Sequence, residues 1–127
     1  MEYKKQQYER RGQVPLEVVL PAIRDPRVRR IEVEGISVKV QGLRLETFAH
    51  KGLVCAHCGL EGRYFAIERA ASNPPPTYHL NLYAIDADGD EVLMTQDHVV
   101  ARANGGTNHL SNSQTLCGPC NWKKADS

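Results

Sequence analysis

The sequence predicts an α+β fold: a small C-terminal domain tied together at four cysteines, preceded by a helix-plus-short-strand module. Three observations carry that expectation. Several segments alternate apolar and polar residues at the two-residue period of a half-buried strand. Two Cys-x-x-Cys pairs stand far apart in the chain, "CAHC" at 55–58 and "CGPC" at 117–120. The last thirty residues read in the order strand, long loop, strand, helix. The length, 127 residues, makes one compact domain the first expectation. Within it, residues 1–47 read as a basic N-terminal module and 48–127 as the motif-bearing domain.

The elements follow in order. Residues 1–12 are polar and expected to be mobile. From Pro15, the positions Leu16, Val19, Leu20 and Ile23 repeat as on one face of a helix. Pro15 suits the first turn, "RDP" ends the helix, and Pro21 threatens to kink it. "RRIEVEGISVKVQGLRLETF" alternates around Gly35 and Gly42, which predicts two or three short strands. "GRYFAIERA" predicts another. "ASNPPPT" predicts a loop, because three prolines fit neither a helix nor a central strand. "YHLNLYAI" and "EVLMT" form a hairpin across "DADGD". That turn lacks the glycine and the distant glutamate of an EF-hand loop, so calcium is not expected. "NSQTLC" is a short strand, and "GPCNWKK" opens a helix with Pro119 in its first turn.

Hydrophobic residues make up 41% and aromatics 6%, so the core is expected to be aliphatic and thin, in need of a brace. No apolar run is long enough to span a membrane, and the start "MEYKKQQYERRGQ" has no apolar signal region. The expected setting is the cytoplasm of a bacterium or a phage-infected cell. Residues 1–30 carry eight Lys/Arg against four Asp/Glu, and the remainder eight against eleven. The basic third reads either as an arm for a phosphate backbone or as a solvated terminus.

Cys55, Cys58, Cys117 and Cys120 are the only cysteines. Without an export signal, two such pairs predict a zinc site and not disulfides. Two residues between ligands let a tight turn aim both thiolates at one ion, at Zn–S distances near ~2.3 Å. Four thiolates saturate the ion, so this Zn²⁺ would be structural. The 58 residues between the pairs must then form a subdomain whose ends return to one point. "CGPC" also has the letters of a redox motif, but that motif needs a long following helix. His57 reads as a bystander inside the first pair.

Asp97, His98, Asn112 and Asn121 stand among these elements. "DHVVARANGGTNHLSNSQTLCGPCNWKK" resembles the HNH endonuclease motif, with Asp-His, Gly-Gly, Asn, Cys-x-x-C-Asn and Lys at matching separations over residues 92–124. The upstream pair resembles the four-cysteine subset found in phage and bacterial HNH proteins. The resemblance implies a ββα-metal fold and hydrolysis of DNA phosphodiester bonds to 5′-phosphate and 3′-hydroxyl ends. By position, His98 matches the general base, and Asp97 and Asn121 match the ligands of a catalytic divalent metal. Asn112 matches an asparagine that fixes the loop holding the histidine. Oxygen donors favour Mg²⁺ or Mn²⁺ there.

An imidazole can take a proton from water near neutrality. Asp97 and His98 are neighbours, and neighbours in a flat strand face opposite ways, so the strand must end, twist or bulge there. The motif's proline and serine are replaced by Ala101 and Ala103. Arg102 between them reads as a phosphate contact or a loop charge. Lys123 and Lys124 are candidate backbone contacts. Trp122 reads as a core or cap residue, and His50 and His109 as surface. His79 shares a strand face with Asn81 and Tyr83, either as a sheet histidine or as support for the site. The competing reading is a noncatalytic zinc ribbon that binds nucleic acid or protein. Oligomeric state and target sequence are open.

Overall fold

The computed structural model describes residues 2–70 and 77–126. The "ASNPPPT" loop lies almost wholly outside them. Among the described residues are seven strands and three helices: β1 (Tyr8–Pro15), α1 (Leu16–Arg24), β2 (Arg30–Val33), β3 (Ile36–Lys39), α2 (Leu43–Lys51), β4 (Gly62–Ala70), β5 (His79–Ile85), β6 (Glu91–His98), β7 (Ser113–Cys117) and α3 (Gly118–Asp126). Five strands form one antiparallel sheet in the order β1-β4-β5-β6-β7. β2 and β3 form a separate hairpin. No helix is long and apolar enough to cross a membrane.

The N-terminal half departs from expectation in two places. Part of the supposedly mobile start is strand: β1 begins at Tyr8 and pairs with β4 from Tyr8–Ala70 to Pro15–Tyr64. Its polar sequence suits an edge strand with one side in water. "LRLETF" is not a strand but the first two turns of α2. The letters satisfy both periods, since Leu43, Leu45 and Thr47 alternate while Leu45, Phe48 and Ala49 share a helical face. Packing decides: Leu45, Thr47, Phe48 and Ala49 are all buried, and a strand would place Phe48 on the face opposite Leu45. The expected boundary after residue 47 falls inside this helix.

Elsewhere the pattern and the fold agree. α1 starts directly after Pro15 and buries Val19 and Ile23. Pro21 lies within it and withholds one backbone donor from the Glu17 carbonyl, and the short helix ends three residues later. β2 and β3 join through Glu34 and Gly35, whose φ values of 50° and 80° make the left-handed two-residue turn that matches strand twist. The core runs between the sheet and α1 and α2, around Val19, Val38, Phe48, Phe65, Ile67, Leu80, Leu82 and Met94. It is mainly aliphatic, as the composition requires.

Candidate active site and zinc knot

Zinc-type ligands meet where the two halves of the C-terminal domain join. Cys55 and Cys58 sit on a tight turn closed by an isolated bridge between Val54 and Glu61. The Cys55 N–H donates to Leu60 O at 2.8 Å and the Gly59 N–H to Cys55 O at 3.0 Å. Cys117 ends β7, and Cys120 lies in the first turn of α3. All four sulfurs lie within 4.8 Å of one another, with Cys55 and Cys117 buried. A main-chain bond from Ala56 N–H to Thr115 O, 2.8 Å, ties the first turn to β7.

The Cys58 N–H points at Cys55 Sγ, 3.5 Å away. Burial pushes the Cys55 thiol up, but backbone N–H groups of Cys58, Cys117 and His57 outweigh it and bring it down to about 6. Burial pushes Cys117 and Cys120 upward. Four thiols this close cannot all ionise without a cation among them, and a divalent soft-tolerant ion supplies it. The cluster fits zinc. His57 is exposed beside it.

β6, β7 and α3 form the second constellation. β6 and β7 pair in continuous register from Met94–Cys117 to His98–Ser113. No bulge reorients Asp97 or His98; the strand ends at His98, which frees its side chain from a second strand face. Thr95 and Asp97 share the face covered by α3. One turn apart on that helix, Asn121 Nδ2 donates to Thr95 Oγ1 at 2.8 Å and Lys124 Nζ to Asp97 Oδ2 at 2.5 Å. Lys124 also donates to His98 O at 2.7 Å, and Gln114 Nε2 to Asp97 Oδ2 at 3.0 Å. The Asn121 amide nitrogen is thus committed, which leaves its oxygen for another ligand. Asp97 is 16% exposed.

This donor set fits a hard divalent cation. A positive group already bridges Asp97 Oδ2 and the His98 carbonyl, and Asn121, bonded to Thr95, stands one turn before that lysine on α3. The lysine ammonium stands in for the ion. Lys124 therefore contacts the candidate metal carboxylate itself. Lys123 is exposed next to it, and Arg102 is exposed in a single turn of 3₁₀ helix at Arg102–Asn104.

His98 is held from the loop side. Its Nε2 lies 2.7 Å from Asn108 Oδ1. An amide oxygen accepts from Nε2–H, and in the neutral ring that bond leaves Nδ1 its lone pair. Asn112 clasps the same loop with three bonds. Its Oδ1 accepts from Val100 N–H at 2.9 Å, and its Nδ2 donates to Val100 O at 3.0 Å and Thr107 O at 2.8 Å. The two glycines have separate reasons. Gly105 takes φ 89°, and a Cβ on Gly106 would sit 1.7 Å from Val100 O.

Residues 86–127 match a family described as HNH endonuclease. Over that segment, about a third of its length, the chain is similar to HNH endonucleases. No curated protein and no solved structure matches the chain. The HNH segment contains β6, the glycine loop, β7 and α3, together with Cys117 and Cys120. The first cysteine pair and the first three strands of the main sheet lie outside it. Asn108 and Gln114 were not singled out from the sequence. Asn108 sits in a polar loop of interchangeable-looking residues, and only the folded loop brings it to the histidine. Gln114 occupies a variable-looking strand position, opposite Asp97 in the register.

Proposed function

We propose that the protein is a metal-dependent endonuclease that hydrolyses DNA, with His98 as general base. The observation that carries this reading is the corner where β6 ends. There a histidine bonded through Nε2 to Asn108 stands next to a carboxylate that already holds a cation, with Asn121 one helical turn away on Thr95. A zinc ribbon has no use for that arrangement.

The steps assigned to the chain are these. His98 Nδ1 takes a proton from water, and the resulting hydroxide attacks phosphorus. The bond to the 3′ oxygen breaks, and that oxygen leaves with a proton from solvent. Asn108 keeps the imidazole in the required tautomer, and Asn112 keeps the loop in place. Asp97 and Asn121 would hold Mg²⁺ or Mn²⁺, which when bound stabilises the negative charge that builds up on the phosphate. Lys124, Lys123 and Arg102 contact flanking phosphates. Zinc on the four cysteines stabilises the fold and takes no part in the reaction.

The test is cleavage of supercoiled plasmid by zinc-loaded protein with Mg²⁺, with Mn²⁺ and with a chelator. Nicked or linear product that requires the added metal and disappears in His98→Ala is expected. Intact plasmid under every metal condition would remove the nuclease reading in favour of a binding module.

A further inference from the structure

β5 and β6 are paired only from Tyr83–Leu93 to Ile85–Glu91. Beyond that point β5 stays with β4 as far as His79, and β6 stays with β7 as far as His98. The two strands part, and a cleft of about 320 Å³ opens between them, lined by Arg44, His79, Asn81, Thr95 and Gln96. Arg44 reaches it from α2. Its guanidinium donates to Leu80 O at 2.6 Å and Asn81 Oδ1 at 3.5 Å, in the place a β6 backbone would have occupied. Phe48 packs against it, 5.9 Å from ring centroid to guanidinium.

Both hydrogen-bond partners are neutral. No carboxylate pairs with Arg44 among the described residues. A guanidinium has five N–H donors, two of which reach these acceptors. Arg44 itself lines the cleft, which gives the remaining donors a polar space beside them. Burial pulls the Arg44 pKa below the usual arginine value. Arg10, on β1, is treated differently. It donates to Glu68 at 2.8 Å and to Glu91 at 2.8 and 2.9 Å. A buried cation without an anion is costly. The same side chain with a polar cleft in front of it is a binding site for one.

The position names the ligand. Gln96 and His98 lie on one face of β6, two residues or roughly 6.6 Å apart. A group seated on Arg44 and Gln96 is thus one short step from the histidine. We infer that Arg44, with His79 and Gln96, forms a subsite for a phosphodiester of the nucleic-acid strand flanking the one that is cut. This rests on the nuclease reading for the identity of the strand. It assigns a phosphate contact outside the HNH segment, from a helix that the motif does not contain.

The test uses the zinc-loaded full chain and a fluorescein-labelled DNA duplex, without added Mg²⁺ or Mn²⁺, so that binding is read apart from cutting. Anisotropy titrations over a range of salt give the dependence of affinity on salt. Arg44→Gln is expected to weaken binding by about tenfold and to lower the slope of log K against log salt by about one. Gln96→Glu keeps Arg44 and gives it an internal carboxylate. It is expected to raise the melting temperature while causing the same loss of slope, which covers the case in which Arg44→Gln does not fold. Wild-type affinity and slope in both folded variants would overturn the inference, even if the parent cuts DNA. Inorganic phosphate that raises the parent's melting temperature while both variants bind DNA normally would also overturn it, in favour of a small-anion site. A lowered slope in a protein that never cuts DNA would leave the subsite standing and remove the nuclease reading alone.

Discussion

The zinc knot and the Asp97–His98–Asn121 corner share β7 and α3, yet they are built on opposite rules. In the knot, four sulfurs lie within 4.8 Å, two of the cysteines are buried, and backbone N–H groups already favour a thiolate. In the corner, one carboxylate and one amide offer oxygens at a partly open strand end, and a lysine occupies the cation's place. Cys120 and Asn121 are neighbours that turn to different partners, one to the sulfur cluster and the other to Thr95. A saturated thiolate cage holds its ion for the life of the fold. An open oxygen site exchanges ions and keeps positions for water and phosphate. The difference teaches that adjacency in sequence says little about shared duty on a helix, where neighbours diverge by about 100°.

The sharpest break in the comparison comes from removing each metal site in turn. Cys117→Ser should abolish the cooperative thermal transition seen by circular dichroism and leave no stoichiometric zinc, because the knot joins the first cysteine turn to β7 and α3. Asp97→Ala should instead keep zinc and the folded spectrum while losing cleavage. A folded, zinc-free Cys117→Ser protein would show that the knot is not a brace.

Next in size is His98→Ala. Loss of a general base lowers the rate by about 10²–10⁴-fold. Zinc content and melting temperature should stay at parent values, since among the described residues the ring bonds to the exposed Asn108 alone. Plasmid cleavage within threefold of the parent would remove His98 from the reaction.

A smaller effect separates holding from reacting. Asn112→Ala loses three hydrogen bonds to Val100 and Thr107. At about 1 kcal/mol each, melting should fall noticeably, and cleavage should fall because the loop carrying Asn108 loosens. Gly106→Ala should act on the same loop through the clash with Val100 O. If both variants melt like the parent, the loop is held by something other than this clasp.

Much of this was legible in the letters, for physical reasons that differ by residue. The cysteine pairs are legible because few other arrangements satisfy a tetrahedral thiolate site. Asp97, His98, Asn112 and Asn121 are legible through their spacing to the glycines and to Cys117. β5, β6 and β7 are legible because each alternates against one buried face. α2 was not, since "LRLETF" satisfies two periods and only burial of Phe48 and Ala49 chooses between them. β1 was not, since an edge strand of charged residues resembles a loose terminus. Arg44, Asn108 and Gln114 were invisible, because each acquires its meaning from a partner ten or more residues away or from a cleft between strands.

The finest distinction concerns Lys124. Its ammonium contacts Asp97 Oδ2 and His98 O, two oxygens a divalent ion would also use. A lysine that occupies the site must yield when an ion enters, so it competes with the metal and weakens its binding. On the proposed reading, the displaced ammonium would then reach a substrate phosphate. These two effects have opposite signs and can be read separately. Lys124→Met should tighten Mn²⁺ binding by a few-fold in calorimetry without DNA, since removing a competing charge worth about 0.5–1 kcal/mol changes affinity by that much. The same variant should weaken DNA binding at low salt. Weaker Mn²⁺ binding in Lys124→Met would mean that the lysine helps to shape Asp97 for the ion and does not stand in for it.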